Sequence, residues 1–133
     1  MSNQNVKILV IEDDEYSRDA LAHLLVSEGY EAQSASDGES GLEKAHEMQP
    51  DVIVLDLNLP GIDGKQVIER LRGDGPLRSV PILVVTGDED KAAQDAVDLG
   101  ADGYLTKPVE FDDLINAISG LKSKPVADNL TAA

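Results

Sequence analysis

The sequence predicts an α/β fold in which a doubly wound, five-stranded parallel sheet is covered by five helices. Short apolar runs rich in Val and Ile recur along the chain, each about as long as one strand. A segment with helical periodicity follows each run, so strands and helices alternate five times. The run at 52–55 is continuously apolar, and the run at 6–11 is apolar except for Lys7, which is typical of strands buried on both faces of a parallel sheet.

Each predicted element has a signal of its own. The strands are predicted at 6–11, 30–34, 51–56, 80–85 and 104–105. Most of them are apolar and rich in β-branched residues, whereas 30–34 is a short, weakly alternating segment. The predicted helices have an apolar face and follow the strands: 15–28, 37–48, 65–72, 89–99 and 111–121. The apolar face of the first helix consists of Ala20, Leu21, Leu24 and Leu25. Asp14 is placed to cap this helix, and Gly29 to end it in a left-handed turn.

Length and composition indicate one domain with an ordinary core. The chain has 133 residues and no cysteine, which excludes disulfides and sulfur-ligated metals. Neither a signal peptide nor an apolar run of membrane-spanning length is visible, so the sequence predicts a soluble, cytoplasmic protein. We expect the folded domain to cover 1–122, with 123–133 as a flexible tail or the stump of a linker.

The net charge of the chain bears on whether it binds nucleic acids or membranes. A formal net charge of −15 at pH 7 would repel the phosphates of nucleic acids and of anionic membranes. One Phe, three Tyr and no Trp give no set of aromatic platforms for stacking bases. The sequence therefore predicts no direct binding to nucleic acid and none to a membrane.

Polar residues follow the predicted strands where their apolar runs end: Glu12 and Asp13, Asp56, Thr86, and Lys107. The carboxyl ends of parallel strands meet at one edge of a sheet, so these side chains are expected to converge. Three converging carboxylates repel one another unless a cation lies among them, and all the candidate ligands are oxygens. This chemistry favours Mg²⁺.

The same residues suit phosphoryl transfer onto Asp56. An aspartate carboxylate can act as the nucleophile that forms an acyl phosphate. The Lys107 ammonium and the Thr86 hydroxyl supply the cation and the donor that the other phosphoryl oxygens require.

With these motifs in order, the chain resembles the receiver domain of two-component response regulators over about residues 7–121. The resemblance depends on ILVIEDDEYSR for the acidic pair, VLDLNLPGIDG for the phosphoacceptor loop, VVTG for the hydroxyl, and GADGYLTKP for the aromatic residue and the lysine. It implies a flavodoxin-like sheet with strand order 2-1-3-4-5.

The resemblance also implies a set of metal ligands. Asp56 would be both phosphoacceptor and ligand, Asp13 a direct Mg²⁺ ligand, and Glu12 its partner acting through water. Asn58 would contribute its backbone carbonyl. Many members of the family have two aspartates where this chain has Glu12 and Asp13, and Asp14 adds a third carboxylate. We favour Glu12 and Asp13 as the metal-facing pair, because Asp14 fits a helix cap better.

For signalling, the resemblance implies that Thr86 moves to the phosphoryl group, that Lys107 pairs with it, and that Tyr104 then turns inward. The peptide between Lys107 and Pro108 would be cis. These movements would alter the face formed by residues 89–121.

The resemblance implies a phosphorylation-dependent switch. It implies no enzymatic activity other than self-phosphorylation and self-dephosphorylation on Asp56. Its partners would be a sensor histidine kinase or phosphotransfer protein, and a downstream protein or output domain, with a possible homodimer through the 89–121 face. One alternative is a Mg²⁺-dependent phosphohydrolase using an aspartyl phosphate, although Asn58 stands where such enzymes carry an acid. The other is a docking module that works without phosphorylation.

Overall fold

A computed structural model describes residues 6–87 and 91–122 of the chain. In that part of the chain the strands are β1 (Lys7–Ile11), β2 (Glu31–Ala35), β3 (Val52–Asp56), β4 (Ile82–Thr86) and β5 (Gly103–Thr106). The α-helices are α1 (Glu15–Ser27), α2 (Gly38–Met48), α3 (Gly64–Arg72), α4 (Lys91–Leu99) and α5 (Phe111–Lys122). The predicted tail at 123–133 and the predicted start of the fourth helix at 89 lie outside the described residues.

The five strands form one sheet in the order β2-β1-β3-β4-β5, and every neighbouring pair is parallel. This confirms the predicted fold class and strand order. The order reverses direction at β1 and β3, since the chain first adds β2 on one side of β1 and then the later strands on the other. Such a switch point opens a crevice at the carboxyl ends of the strands, where open α/β sheets bind ligands.

The core has two layers, one on each face of the sheet. Successive strand residues point to opposite faces, and in β1 and β3 both sets are apolar. One set, with Leu9 and Ile53, packs under α2, α3 and α4. The other set, with Ile8 and Val52, packs under α1 and α5. Burial on both faces explains why these strands are continuous apolar runs in the sequence.

Helix ends follow the predicted local chemistry. The Asp14 side chain accepts a hydrogen bond from the Ser17 backbone N–H and caps α1, as predicted. Gly29 has a φ of 97°, which a residue with a side chain rarely adopts, and the chain turns there after α1. Asp63 caps α3 through a reciprocal capping box with Gln66.

Differences from the prediction are small, and most of them occur at element ends. Ala20, a predicted member of the apolar face of α1, is exposed and lines a groove between α1 and α5. The break predicted after the third helix contains a single 3-10 turn, Gly75–Leu77. β4 begins at Ile82, two residues later than predicted, because Val80 and Pro81 form the connection from this turn.

Candidate functional site

The site lies at the carboxyl edge of the sheet, where β1, β3, β4 and β5 end. Ile11 pairs with Leu55 across β1 and β3, so Glu12 follows β1 beside Asp56, the last residue of β3. Asp56 pairs with Val85 in β4, and the next residue, Thr86, is fully buried. The parallel register therefore places the predicted residues next to one another.

Three carboxylates form a cluster at this edge. Ligand oxygens of Glu12, Asp13 and Asp56 all lie within 4.8 Å of one another. Glu12 and Asp56 are almost completely buried, with 2% and 4% of their surface exposed, whereas Asp13 is exposed. One open side and an all-oxygen donor set fit a hard divalent ion that keeps part of its water shell. The residues present therefore fit Mg²⁺, the cation that the sequence predicts.

Lys107 bridges two members of this cluster. Its Nζ lies 3.3 Å from Glu12 Oε1 and 3.3 Å from Asp56 Oδ2. Lys107 follows the last residue of β5, and its backbone N–H donates to the Thr86 carbonyl at 2.9 Å, which ties it to β4. The peptide between Lys107 and Pro108 is cis, as the resemblance implied.

The charges at the site shift two pKa values. Burial raises the pKa of Glu12, and the Asp56 carboxylate raises it further, against the lowering effects of the Asp14 N–H and Lys107. Burial disfavours the charged form of Lys107, but attraction to Asp56 and Glu12 outweighs it, so the pKa of Lys107 rises. Lys107 is therefore protonated at neutral pH.

Backbone donors hold the two buried carboxylates. The Asn58 N–H donates to Asp56 Oδ1 at 3.1 Å, and the Asp14 N–H donates to Glu12 Oε2 at 3.1 Å. The Asp14 side chain itself points to the start of α1, where it accepts the Ser17 N–H, and this bond lowers the pKa of Asp14. Asp14 thus serves as a helix cap, while its neighbours face the cluster.

The loop after Asp56 returns close to the strand it leaves. A Cβ on Gly64, the first residue of α3, would lie 2.6 Å from Leu57 Cα and 2.9 Å from the Asp56 carbonyl oxygen. Only glycine fits this approach without moving backbone. The close contact fixes where α3 begins relative to the Asp56 carboxylate.

The predicted switch residues occupy two environments. Thr86 is fully buried and pairs with Thr106 of β5. The side chain of Tyr104 is exposed, with 47% of the residue's surface accessible. The structure thus places Tyr104 in an outward position, and its coupling to Thr86 stays a prediction. Asn58 lies exposed beside the cluster, and its carbonyl as a ligand likewise stays a prediction.

One residue at the site was missed by sequence reasoning. Arg18, on α1, donates from Nη1 to the backbone carbonyls of Glu12 and Asp13, at 3.2 Å each. Its position one turn after the capping Asp14 is the signal that could have identified it, because helical side chains lean back toward the amino end of their helix.

Comparison with known proteins agrees with this fold. A family model described as the response regulator receiver domain matches residues 8–119. The solved structure of the chemotaxis protein CheY4 of Vibrio cholerae superposes with a TM-score of 0.83 and 30% identity, covering 87% of this chain and 98% of its own. The chain thus shares its doubly wound fold with a chemotaxis protein of known structure. The chain belongs to the response regulator receiver domain family.

Two curated relatives extend the comparison. The chain is 39% identical over 118 residues to the DNA-binding dual master transcriptional regulator RpaA of Synechocystis sp., covering 86% of this chain and 48% of that protein. It is 44% identical over 105 residues to the alkaline phosphatase synthesis transcriptional regulatory protein PhoP of Bacillus subtilis, covering 78% and 43%. The chain spans about half the length of these relatives.

These relatives correct one prediction. Direct nucleic-acid binding was excluded from the net charge of −15, yet the Synechocystis relative is named as DNA-binding. The exclusion was wrong, because the charge of one receiver domain limits only the contacts of that domain. More than half of the relative's length lies outside the match. None of the helices in residues 6–87 and 91–122 combines the length and the apolar composition that a membrane-spanning helix requires.

Proposed function

We propose that Asp56 accepts a phosphoryl group from the phosphohistidine of a sensor histidine kinase, and that the added charge changes the face formed by residues 89–121. The observation that carries the proposal is the Asp56 carboxylate at the end of β3. It is buried, bonded to the Asn58 N–H, and 3.3 Å from Lys107, with two further carboxylates close by.

The transfer needs a carboxylate oxygen that is held in one place and still reachable. Asp56 Oδ1 is held by a backbone N–H and Oδ2 by Lys107. One of these oxygens attacks phosphorus, forming the P–O bond of an acyl phosphate. The P–N bond of the phosphohistidine breaks, and its electron pair returns to the imidazole nitrogen, which then takes a proton. The reaction transfers one phosphoryl group and needs no oxidant or reductant.

A divalent cation fits the exposed side of the cluster. Glu12, Asp13 and Asp56 would hold it, with the Asn58 carbonyl as a further ligand. When bound, Mg²⁺ offsets the negative charge that gathers around the transferred group. Lys107 supplies a second positive charge beside Asp56, where its raised pKa keeps it protonated.

The proposed switch begins with competition for Lys107. In the unphosphorylated chain Lys107 is shared between Glu12 and Asp56. A phosphoryl group carries more charge and more acceptor oxygens than a carboxylate, so Lys107 and Thr86 are drawn to it. Thr86 is the last residue of β4 and pairs with Thr106 of β5, so its displacement is passed to β5 and to Tyr104. The readout is the partner affinity of the 89–121 face.

The relatives suggest which output this face controls. Two of them are named as transcriptional regulators, and the chain spans about half of each. We propose that this receiver controls transcription where it is joined to, or contacts, a region that binds DNA.

The proposal is tested by intact mass after incubation with acetyl phosphate and Mg²⁺. We expect a gain of one phosphoryl group in the wild type, and none in Asp56→Asn or when Mg²⁺ is chelated. Asp19→Asn is the matched control, since Asp19 is an exposed aspartate on α1 and should not affect labelling. Sustained hydrolysis of phosphomonoesters would favour the phosphohydrolase alternative. A lack of labelling under all conditions would favour the docking module.

A further inference from the structure

We propose that Arg18 is a positioning residue for the Asp13 carboxylate, and that it thereby sets the affinity of the acidic cluster for a divalent cation. This inference rests on the cation site of the proposed function. Arg18 lies outside the cluster, and its role depends on its contacts with the backbone of the cluster residues.

The contacts of Arg18 are made with the loop between β1 and α1. Arg18 Nη1 lies 3.2 Å from the Glu12 carbonyl oxygen and 3.2 Å from the Asp13 carbonyl oxygen. The Nη1 nitrogen of a guanidinium carries two hydrogens, so it can donate one to each carbonyl. A single atom therefore holds two successive peptide groups of the loop.

These two peptide groups flank the Cα of Asp13. Peptide groups are planar, so the only soft rotations between them are φ and ψ of Asp13. When both planes are held by one nitrogen, these two angles are held as well. The direction of the Cα–Cβ bond follows from them, and the Asp13 carboxylate is thereby directed into the cluster.

Of the three carboxylates in the cluster, that of Asp13 depends most on the conformation of its own backbone for its position. Lys107 and backbone N–H groups hold the carboxylates of Glu12 and Asp56 directly. Asp13 is exposed, and across residues 6–87 and 91–122 no hydrogen bond or ion pair holds its carboxylate. Loss of the Arg18 contacts would therefore release Asp13 before the other two ligands.

The helix itself does not explain an arginine at this place. Arg18 lies near the amino end of α1, where the helix dipole favours anions over cations. Asp14 already caps this end through the Ser17 N–H, and the Arg18 N–H makes the first helical bond, to the Asp14 carbonyl at 2.8 Å. The side chain of Arg18 instead leans back over the loop, where its two acceptors lie.

Positioning and simple electrostatics predict opposite results. Arg18 is a positive charge close to a cation site, so removing its charge alone would strengthen cation binding. If Arg18 orients Asp13, removing the side chain weakens binding even though a repelling charge has gone. The sign of the change in affinity therefore separates the two roles.

The test is a titration with Mn²⁺ alone, in which electron paramagnetic resonance reports free Mn²⁺. We expect Arg18→Ala to bind about tenfold more weakly than the wild type, at the low end for a supporting residue of a metal site. Arg18→Lys keeps the charge but has a shorter side chain, and we expect an affinity about threefold below the wild type. Arg70→Ala, in the last turn of α3 and away from the acidic cluster, removes the same charge and should bind normally.

Arg18→Ala binding as tightly as the wild type, or more tightly, would overturn the inference while leaving the proposed function intact. A wild type that binds no Mn²⁺ would overturn both. Thermal unfolding of each variant, followed by circular dichroism, shows whether it is folded at the titration temperature. If Arg18→Ala is unfolded there, Arg18→Lys decides: an affinity equal to that of the wild type contradicts the inference, and a reduced affinity supports it.

Discussion

Replacing Asp56 by Asn should stabilise the protein when no divalent cation is present. The change removes the charge of a carboxylate that is 4% exposed and close to Glu12 and Asp13, and keeps its shape. The amide of the new side chain can still accept the Asn58 N–H through its oxygen. The substitution therefore isolates the effect of one buried charge on folding.

The expected magnitude follows from the distances. At no more than 4.8 Å, the repulsion between Asp56 and Glu12 is at least about 3.5 kcal/mol at an effective dielectric constant of about 20. The attraction between Asp56 and Lys107 at 3.3 Å is about 5 kcal/mol on the same scale. Because the Lys107 side chain is 35% exposed, solvent screening reduces that attraction to roughly half. Since an amide also costs less to bury than a carboxylate, the variant should be about 1–2 kcal/mol more stable.

A divalent cation should reverse the order. A ligand that binds only the folded state stabilises it by RT ln(1 + [L]/Kd), about 1.4 kcal/mol when its concentration is about ten times Kd. The wild type has three carboxylates for this purpose and Asp56→Asn only two. Increasing Mg²⁺ should therefore raise the stability of the wild type more than that of the variant.

The assay is urea unfolding followed by far-ultraviolet circular dichroism, since the chain contains no Trp. Free energies of unfolding would be compared with and without Mg²⁺. An Asp56→Asn variant that is less stable than the wild type in the absence of divalent ions would refute the reasoning. It would mean that Lys107 already compensates the cluster fully.

Three further predictions concern the effect of pH, the packing of Gly64 and the contacts of Arg72. The pKa of Glu12 is raised above its ordinary value of 4.5, so ionised Glu12 lowers the free energy of unfolding fully above the raised pKa, and this effect disappears as the pH falls to 4.5. The increase in the free energy of unfolding from Asp56→Asn should therefore shrink over this pH interval in urea titrations. Gly64→Ala should lower the free energy of unfolding by about 1–3 kcal/mol, since its Cβ would meet Leu57 Cα at 2.6 Å; a normal unfolding midpoint would contradict this contact. Arg72→Ala should lower the free energy of unfolding by about 2–3 kcal/mol in the same assay. The Arg72 guanidinium donates to the Gly100 and Val80 carbonyls and pairs with Asp102. Arg70→Ala is the control and should change the free energy of unfolding very little.

The sequence was sufficient to predict the fold and the convergence of the candidate site residues at one edge of the sheet, for physical reasons. A strand buried on both faces must be continuously apolar, so the end of the apolar run at Leu55 marks Asp56 as a polar residue at the end of the strand. The parallel arrangement then places Glu12, Thr86 and Lys107 at the same edge. Local chemistry likewise predicted the Asp14 cap, because a carboxylate before a helix accepts an N–H of its first turn.

Contacts that depend on three-dimensional placement could not be predicted in this way. The Arg72 guanidinium reaches carbonyls 8 and 28 residues away, and no periodic pattern in the sequence encodes such a contact. Arg18 is a similar case, because its acceptors are backbone carbonyls, which every residue has. The outward position of Tyr104 depends on how its side chain packs against the surface around β5, and composition does not determine that packing.

The exclusion of nucleic-acid binding failed for another reason. Net charge describes the average interaction of a surface with a polyanion. It carries no information about a region of a regulator that is separate from its receiver.

The most direct test of the account is to locate the phosphoryl group chemically. Borohydride reduces an acyl phosphate of aspartate to homoserine, which survives digestion. After incubation with acetyl phosphate and Mg²⁺, we expect homoserine at position 56 in the tryptic peptide of residues 45–65, and its loss when Mg²⁺ is chelated. Homoserine at Asp51, at Asp63 or in another peptide, with position 56 unmodified, would contradict the assignment of Asp56 as the phosphoacceptor.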